Sequence, residues 1–210
     1  MRIGVLGTGA MAEALGAGWV RAGHEVAVGG RSAEKARALA GRLGGGASAA
    51  PPERAAAGRD AVLLAVAWDG AADMLAAAGA AGGALAGVPL IDPSNPVPHG
   101  GGVLRIADGS AAERIAALAP GAHVVKAFHL FPAAHWAGPG PASGTVAMCG
   151  DDAGALETAG RLVRDLGAAP AVLGPLGRAR QLEEAAGFCI GLAFAGFDPS
   201  SALPGAHRAA

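Results

Sequence analysis

The residues with the most chemistry to offer stand at the start of the chain. Gly7-Thr8-Gly9-Ala10-Met11-Ala12 spells G-x-G-x-x-A, directly behind a short apolar run and ahead of a helical pattern. In such a turn Gly7 permits the reversal, Gly9 lets a pyrophosphate approach the backbone, and Ala12 lets the helix pack close to the strand. The helix that opens there presents unpaired N–H groups and the positive end of its dipole, which suits an anion. Gly7, Thr8, Gly9, Ala10 and Met11 therefore read as a dinucleotide cradle.

The next turn selects the dinucleotide. An NAD site wants an acidic residue at the end of the second strand, to take the ribose 2′-hydroxyl. Here that strand ends Val28-Gly29-Gly30-Arg31-Ser32, with no acid. Arg31 can pair with a 2′-phosphate and lie against adenine, Ser32 can donate to it, and Lys35 follows one turn into the helix. Charge-assisted hydrogen bonds of this kind are the strong ones. The expected cofactor is NADP(H).

Other chemistries find no constellation. No Ser/His/Asp or paired-carboxylate constellation stands out in the sequence. No Cys/His spacing suggests zinc. Cys149 and Cys189 lie far apart in apolar stretches and read as free thiols of a reducing compartment. Lys plus Arg total 16 against 17 Asp plus Glu, with no basic stripe, so nucleic acid and anionic membranes are not expected partners. The uncharged segment Met74–Ile91 is mostly Ala and Gly and is broken by Pro89, so transfer to lipid would gain little. The first residues form a strand rather than a leader peptide. A cytoplasmic protein is expected.

The elements that must position these residues alternate. Strands are expected at Arg2–Leu6, Glu25–Val28, Ala47–Ala49, Ala61–Val66, Val88–Ile91, His123–Phe128, Thr145–Cys149 and Ala171–Leu173. Helices are expected at Ala10–Ala22, Ala33–Leu43, from Pro51, and at Asp69–Ala78, Ser110–Leu118, Asp152–Leu166 and Arg178–Phe197. Such alternation implies an α/β fold, a doubly wound and mainly parallel Rossmann-type sheet, with a small C-terminal extension ending in one long helix. Residues 1–197 are expected to form one domain, with 120–197 on the acceptor side, and 198–210 an irregular tail. Ligands of such sheets bind outside the carboxyl ends of the strands.

Several later stretches carry a resemblance. Gly29-Gly30-Arg31-Ser32, Ala67-Trp68-Asp69, the run Val124 to Trp136 with His129 and Pro132-Ala133-Ala134, Cys149-Gly150-Asp151-Asp152, and Gly174-Pro175-Leu176 with Arg180 and Glu183 follow one another in order. In these the chain resembles the NADPH-dependent reductases of the deazaflavin coenzyme F-420, also called F-420-dependent NADP oxidoreductases. The same fold occurs as the cytosolic domain of some membrane metalloreductases. Ala67 stands where that family has proline, and His135 where it more often has arginine. The resemblance implies hydride transfer between NADP(H) and coenzyme F-420 or a flavin as co-substrate, with no covalent nucleophile. It implies that Ala67, Trp68 and Asn95 border the nicotinamide, and that His129, Leu130, Phe131 and Pro132 wall a small-molecule ring acceptor. Lys126, Arg105 and Arg178 are candidates for an anionic tail of that acceptor. The last helix, apolar on more than one face, is either buried in the sheet packing or shared with a second subunit, and the resemblance favours a homodimer. An NADPH-dependent reductase of a small imine or keto compound, or a non-enzymatic NADP-binding module, would share the glycine and arginine turns.

Overall fold

The computed structural model describes residues 1–98 and 100–202. Along the chain come β1 (Arg2–Leu6), α1 (Ala10–Arg21), β2 (Glu25–Gly29), α2 (Ala33–Leu43), β3 (Ala47–Ala50) and α3 (Pro52–Ala56). β4 (Ala61–Leu64), α4 (Ala71–Ala77), β5 (Pro89–Asp92), α5 (Ala111–Leu118) and β6 (His123–Lys126) follow. α6 (Ala133–Trp136), β7 (Thr145–Gly150), α7 (Ala153–Asp165), β8 (Ala169–Val172) and α8 (Ala179–Phe194) complete the order. The strands form one eight-stranded sheet, β3-β2-β1-β4-β5-β6-β7-β8. β1 to β6 pair in parallel, so their carboxyl ends share one edge. β7 runs antiparallel to β6 and parallel to β8. This is the mainly parallel, doubly wound sheet expected from the alternation.

Each face of the sheet has its own core. Ile3, Val5, Val26, Val28, Leu63 and Val125 point to one side and meet Leu15 and Trp19 of α1, Leu39 of α2 and Leu162 of α7. Leu6, Val62, Leu64 and Leu90 point to the other and meet Met74 and Leu75 of α4, Ile115 of α5 and Leu182 of α8. Burial on both faces explains why β4 is an unbroken apolar run. Trp19 is fully buried, and its indole N–H donates to Leu162 O at 3.1 Å, so its one polar atom is paired.

Several boundaries differ from expectation. β4 and β6 end two residues earlier, because Ala65-Val66 and Ala127-Phe128 turn out of the sheet into loops. β8 lies at Ala169–Val172, and its Pro170 is tolerated because this strand closes the sheet edge. The last helix stops at Phe194, and a 3-10 turn at Pro199–Ala202 occupies part of the tail expected to be irregular. Residues 203–210 of that tail lie outside the described residues.

At the carboxyl ends of β5 and β6 a buried ionic cluster ties the sheet to its helices. Lys126 Nζ lies 2.9 Å from Asp92 Oδ2 and 2.8 Å from Glu183 Oε1, and all three residues are fully buried. The same ammonium donates to the Ser94 carbonyl. Glu183 also accepts from the first N–H groups of α5, Ala111 at 2.9 Å and Ala112 at 3.2 Å. One cation thus faces two anions, and the positive end of α5 makes up the difference. Arg180, three residues before Glu183 on the same helix, pairs with Glu184 at 2.9 Å and donates to Ala107 O at 2.8 Å. Removing one partner of a buried pair leaves an uncompensated charge. Lys126→Met should therefore lower unfolding free energy by roughly 3–5 kcal/mol, measured as a lower urea midpoint at unchanged slope.

Candidate functional site

The turn between β1 and α1 separates two glycines with different reasons to be glycine. Gly7 has φ 137°, and a Cβ there would sit 2.0 Å from Ala65 O, so no side chain fits. Its N–H donates to Gly29 O at 2.8 Å. Gly9 begins α1 with extended backbone and no side-chain cap, and nothing lies within 4 Å of where its Cβ would be. The protein does not need that space empty for its own packing. The first bond of α1 runs from Glu13 N to Gly9 O at 3.0 Å, and among the described residues the N–H groups of Ala10, Met11 and Ala12 have no partner. An open, donor-rich cradle of this kind fits a diphosphate. Thr8 bridges to the next turn, its methyl lying 2.9 Å from the Cβ position of Gly30.

On one side of the cradle a cavity of about 360 Å³ opens at the ends of β2 and β3. Gly30, Arg31, Arg37, Ala49, Pro51 and Pro52 are among its walls. Ser32 caps α2 by accepting from Lys35 N at 3.2 Å, which leaves its hydroxyl proton free to donate. Arg31 and Lys35 are exposed and make no ion pair among the described residues. Arg37 brings a second guanidinium that the sequence reading missed. Its position one turn beyond Ala33, on the same face of α2, is the signal that could have found it.

On the other side a cavity of about 320 Å³ lies at the ends of β4 and β5, lined by Val66, Ala67, Trp68, Ser94, Asn95 and Arg105 among others. Arg105 Nη1 reaches both carboxylate oxygens of Asp69 at 2.9 Å, an exposed pair across the outer rim. Asn95 Nδ2 donates to His129 O at 2.8 Å, joining the β5 loop to the β6 loop. The cavity adjoins the cradle, because Val66 lies against the Cβ position of Gly7 at 3.3 Å.

The segment after β6 holds a bend. Phe128 sits at φ 65°, a left-handed conformation that costs a bulky residue energy, and is wedged edge-on between Trp19 and Trp136 at 6.1 and 5.3 Å. That bend turns the His129 ring inward, where it is 5% exposed and neither ring nitrogen has a hydrogen-bond partner. Burial, reinforced by the charge of Lys126 and only partly opposed by the Leu182 carbonyl, pushes its pKa down to about 3. The ring is neutral at physiological pH. Leu130 and Phe131 are half-buried and Pro132 is exposed, so these three form the outward part of the segment. Phe131 stacks on His135 at 4.4 Å, and His135 Nε2 donates to Ser143 O at 2.7 Å.

The basic candidates for an acceptor tail are not gathered. Lys126 is consumed by Asp92 and Glu183, Arg105 is engaged by Asp69, and Arg178 is exposed at the start of α8. Asp152 caps α7 through Ala155 N at 2.7 Å, whereas Asp151 accepts from Leu176 N at 2.8 Å. Cys149 is buried, which pushes its thiol up to about 11 and leaves it unreactive; both cysteines are free. Among the described residues no group of three or more His, Cys, Asp or Glu could hold a metal ion. No described helix is long and apolar enough to cross a membrane.

A parallel sheet whose order reverses between β1 and β4, with a glycine turn at the reversal and a cavity on either side, defines a Rossmann-type fold. More narrowly, the chain is similar to NADP-dependent oxidoreductases. Residues 2–96 match the family described as NADP oxidoreductase coenzyme F420-dependent. The chain is 32% identical over 183 residues to the metalloreductase STEAP3 of Rattus norvegicus, a match covering 87% of this chain and 36% of that protein. It thus spans about a third of that relative's length. The solved structure of a proposed F420-dependent NADP reductase from Arthrobacter sp. FB24 superposes with a TM-score of 0.75 and 29% identity, covering 86% of this chain and 88% of that one. A reductive aminase from Aspergillus terreus, in complex with NADPH and ethyl levulinate, shares the fold at TM-score 0.68 and 21% identity, covering 93% of this chain and 62% of that one. The resemblance read from the motifs is borne out at the level of family and fold.

The contrast between the two glycines is testable. Gly9→Ser should keep the melting temperature, since serine is a good N-cap. It should weaken NADPH binding by about tenfold or more, as the side chain enters the cradle. Gly7→Ala should instead lower the melting temperature markedly; calorimetry of both variants checks the pair.

Proposed function

We propose that this protein transfers a hydride between NADP(H) and a flat ring acceptor, coenzyme F-420 or a flavin. The observation that carries the reading is the cradle itself: Gly9 keeps open a space the fold does not use, between one cavity edged by Arg31 and one edged by Trp68 and Asn95. In this reading Arg31, the Ser32 hydroxyl and Lys35 hold the 2′-phosphate, and Gly7, Thr8, Gly9, Ala10 and Met11 receive the diphosphate. Ala67, Trp68 and Asn95 border the nicotinamide. Leu130, Phe131 and Pro132 offer the acceptor an apolar wall, and the neutral His129 supports that wall from behind. When bound and reduced, the cofactor supplies a hydride, two electrons with one proton. The protein's share is to align the rings and keep water away, which needs no nucleophile.

The exposed half of α8 supports a homodimer. Phe188 on the helix is 51% exposed, Phe197 just beyond its end 65%, and Val103 on the neighbouring loop 79%, apolar side chains that a second subunit would cover. Two free cysteines fit a reducing, cytoplasmic compartment. Light scattering should return twice the chain mass; a monomer at micromolar concentration would refute the dimer.

The activity is tested by mixing the protein with NADPH and purified coenzyme F-420 or FMN and following loss of the oxidised ring's visible absorbance. Turnover is expected with NADPH well above NADH, and Arg31→Ala should cut kcat/KM for NADPH by about tenfold to a hundredfold, the worth of one charge-assisted hydrogen bond. No turnover with any ring acceptor, alongside reduction of a ketone or imine, would move the assignment to small-molecule reductases.

A further inference from the structure

Two polar atoms beside the Trp68 cavity have no partner: Ser94 Oγ and Asn95 Oδ1 are both buried and unpaired. Buried polar atoms without partners are few in native proteins, and each lacks the interaction that would offset its loss of water. Neighbouring bonds define what these two can still do. Asn95 Nδ2 donates one of its two protons to the His129 carbonyl, which can only accept, so the amide orientation is fixed and the unpaired buried atom, Oδ1, is an acceptor. Ser94 is pinned on both sides of its side chain: its N–H donates to Asp92 Oδ1 at 2.8 Å, and its carbonyl accepts from Lys126 Nζ. Rotation about χ1 is the freedom that remains, and it swings a hydroxyl that can donate.

We propose that Ser94 and Asn95 are the pair that recognises the carboxamide of the nicotinamide, Asn95 Oδ1 accepting from its NH₂ group and Ser94 Oγ donating to its carbonyl. This assignment rests on the NADP(H) reading of the same cavity. A primary amide is the group at that end of the cofactor that carries a donor and an acceptor side by side, the complement of what the two residues leave unpaired. Neither atom is open to water in this state, so engaging them takes rotation of the serine hydroxyl and a slight yielding of the asparagine loop. It also means that no bound water has to be displaced. Lys126 acts here as a positioning residue, holding the Ser94 carbonyl from beneath. Fixing the carboxamide fixes which face of the ring is turned to the acceptor.

Calorimetric binding separates the two roles. The probes are NADP⁺, its 3-acetylpyridine analogue (which keeps the carbonyl but replaces NH₂ by CH₃), and 2′,5′-ADP, which lacks the nicotinamide half. The wild-type protein should bind NADP⁺ about tenfold more tightly than the acetylpyridine analogue, as expected when a buried acceptor is left unpaired. Asn95→Ala should bring that ratio close to one. Ser94→Ala should weaken both ligands alike and leave the ratio unchanged. All three proteins should bind 2′,5′-ADP equally, which shows that they are folded. A wild-type ratio near one, or a ratio that survives Asn95→Ala while 2′,5′-ADP still binds, overturns the assignment and leaves the NADP(H) reading standing. Failure of the wild-type protein to bind 2′,5′-ADP overturns that reading and this assignment with it.

Discussion

A single ammonium group organises the half of the molecule where chemistry is proposed. Lys126 Nζ meets a carboxylate from β5, a carboxylate from α8 and a loop carbonyl at Ser94. Through Glu183 it is also coupled to the N-terminus of α5. A charge this deeply buried is sustained by having every direction filled. The arrangement therefore constrains position strongly: the β5 loop, the start of α5 and the last helix cannot shift independently. The loop that bears Asn95 is anchored at Ser94 by this cluster and through Asn95 Nδ2 to the His129 carbonyl, while the Oδ1 side of the amide is left free to adjust.

The opposite half is organised by absence of side chains. With 36 glycines and few aromatics, the sequence brings backbones together instead of filling gaps with bulk. Gly4 illustrates this: a Cβ there would lie 2.5 Å from the Ala55 carbonyl, so α3 packs directly on β1. Gly7 extends the same principle to the sheet edge, where the chain must pass under Ala65 before α1 begins. Gly9 breaks the pattern, because its missing side chain faces nothing in the protein. Among these three, it is the glycine that the packing of the fold does not itself require.

What could be read from the sequence was mostly local. The turn at Gly7, the cap at Ser32 and the buried run of β4 each depend on residues a few positions apart, so spacing alone revealed them. The reversal of β7 and the ionic cluster depend on partners far apart in the chain. Lys126 meets a residue 34 positions before it in Asp92, and Glu183 reaches back 72 to Ala111. Periodicity carries no information about such pairs. Lys126 at the end of an apolar strand reads as a candidate for an acceptor's tail, because the carboxylates that neutralise it, Asp92 and Glu183, are distant in sequence. Likewise, the inward turn of His129 follows from the left-handed backbone at Phe128, a conformation that a phenylalanine does not advertise.

The two ends of the site differ in dielectric character, and the difference suits what each is proposed to do. Around Arg31 the charges are exposed and unpaired, so they remain hydrated and can meet a dianion without a prior desolvation cost. Such contacts favour capture and choice of cofactor over geometric accuracy. Around Asn95 the buried charge is already neutralised, His129 is held uncharged, and the unpaired atoms are shielded from water. A hydride moves without a counter-ion, so a dry and neutral surround favours transfer between rings over side reactions with water. The phosphate cradle lies between these environments. A ligand gripped at the wet end by charge would extend toward the dry end, where fixed dipoles decide its orientation. That division lets affinity reside in the adenosine half while alignment is governed by a few buried hydrogen bonds.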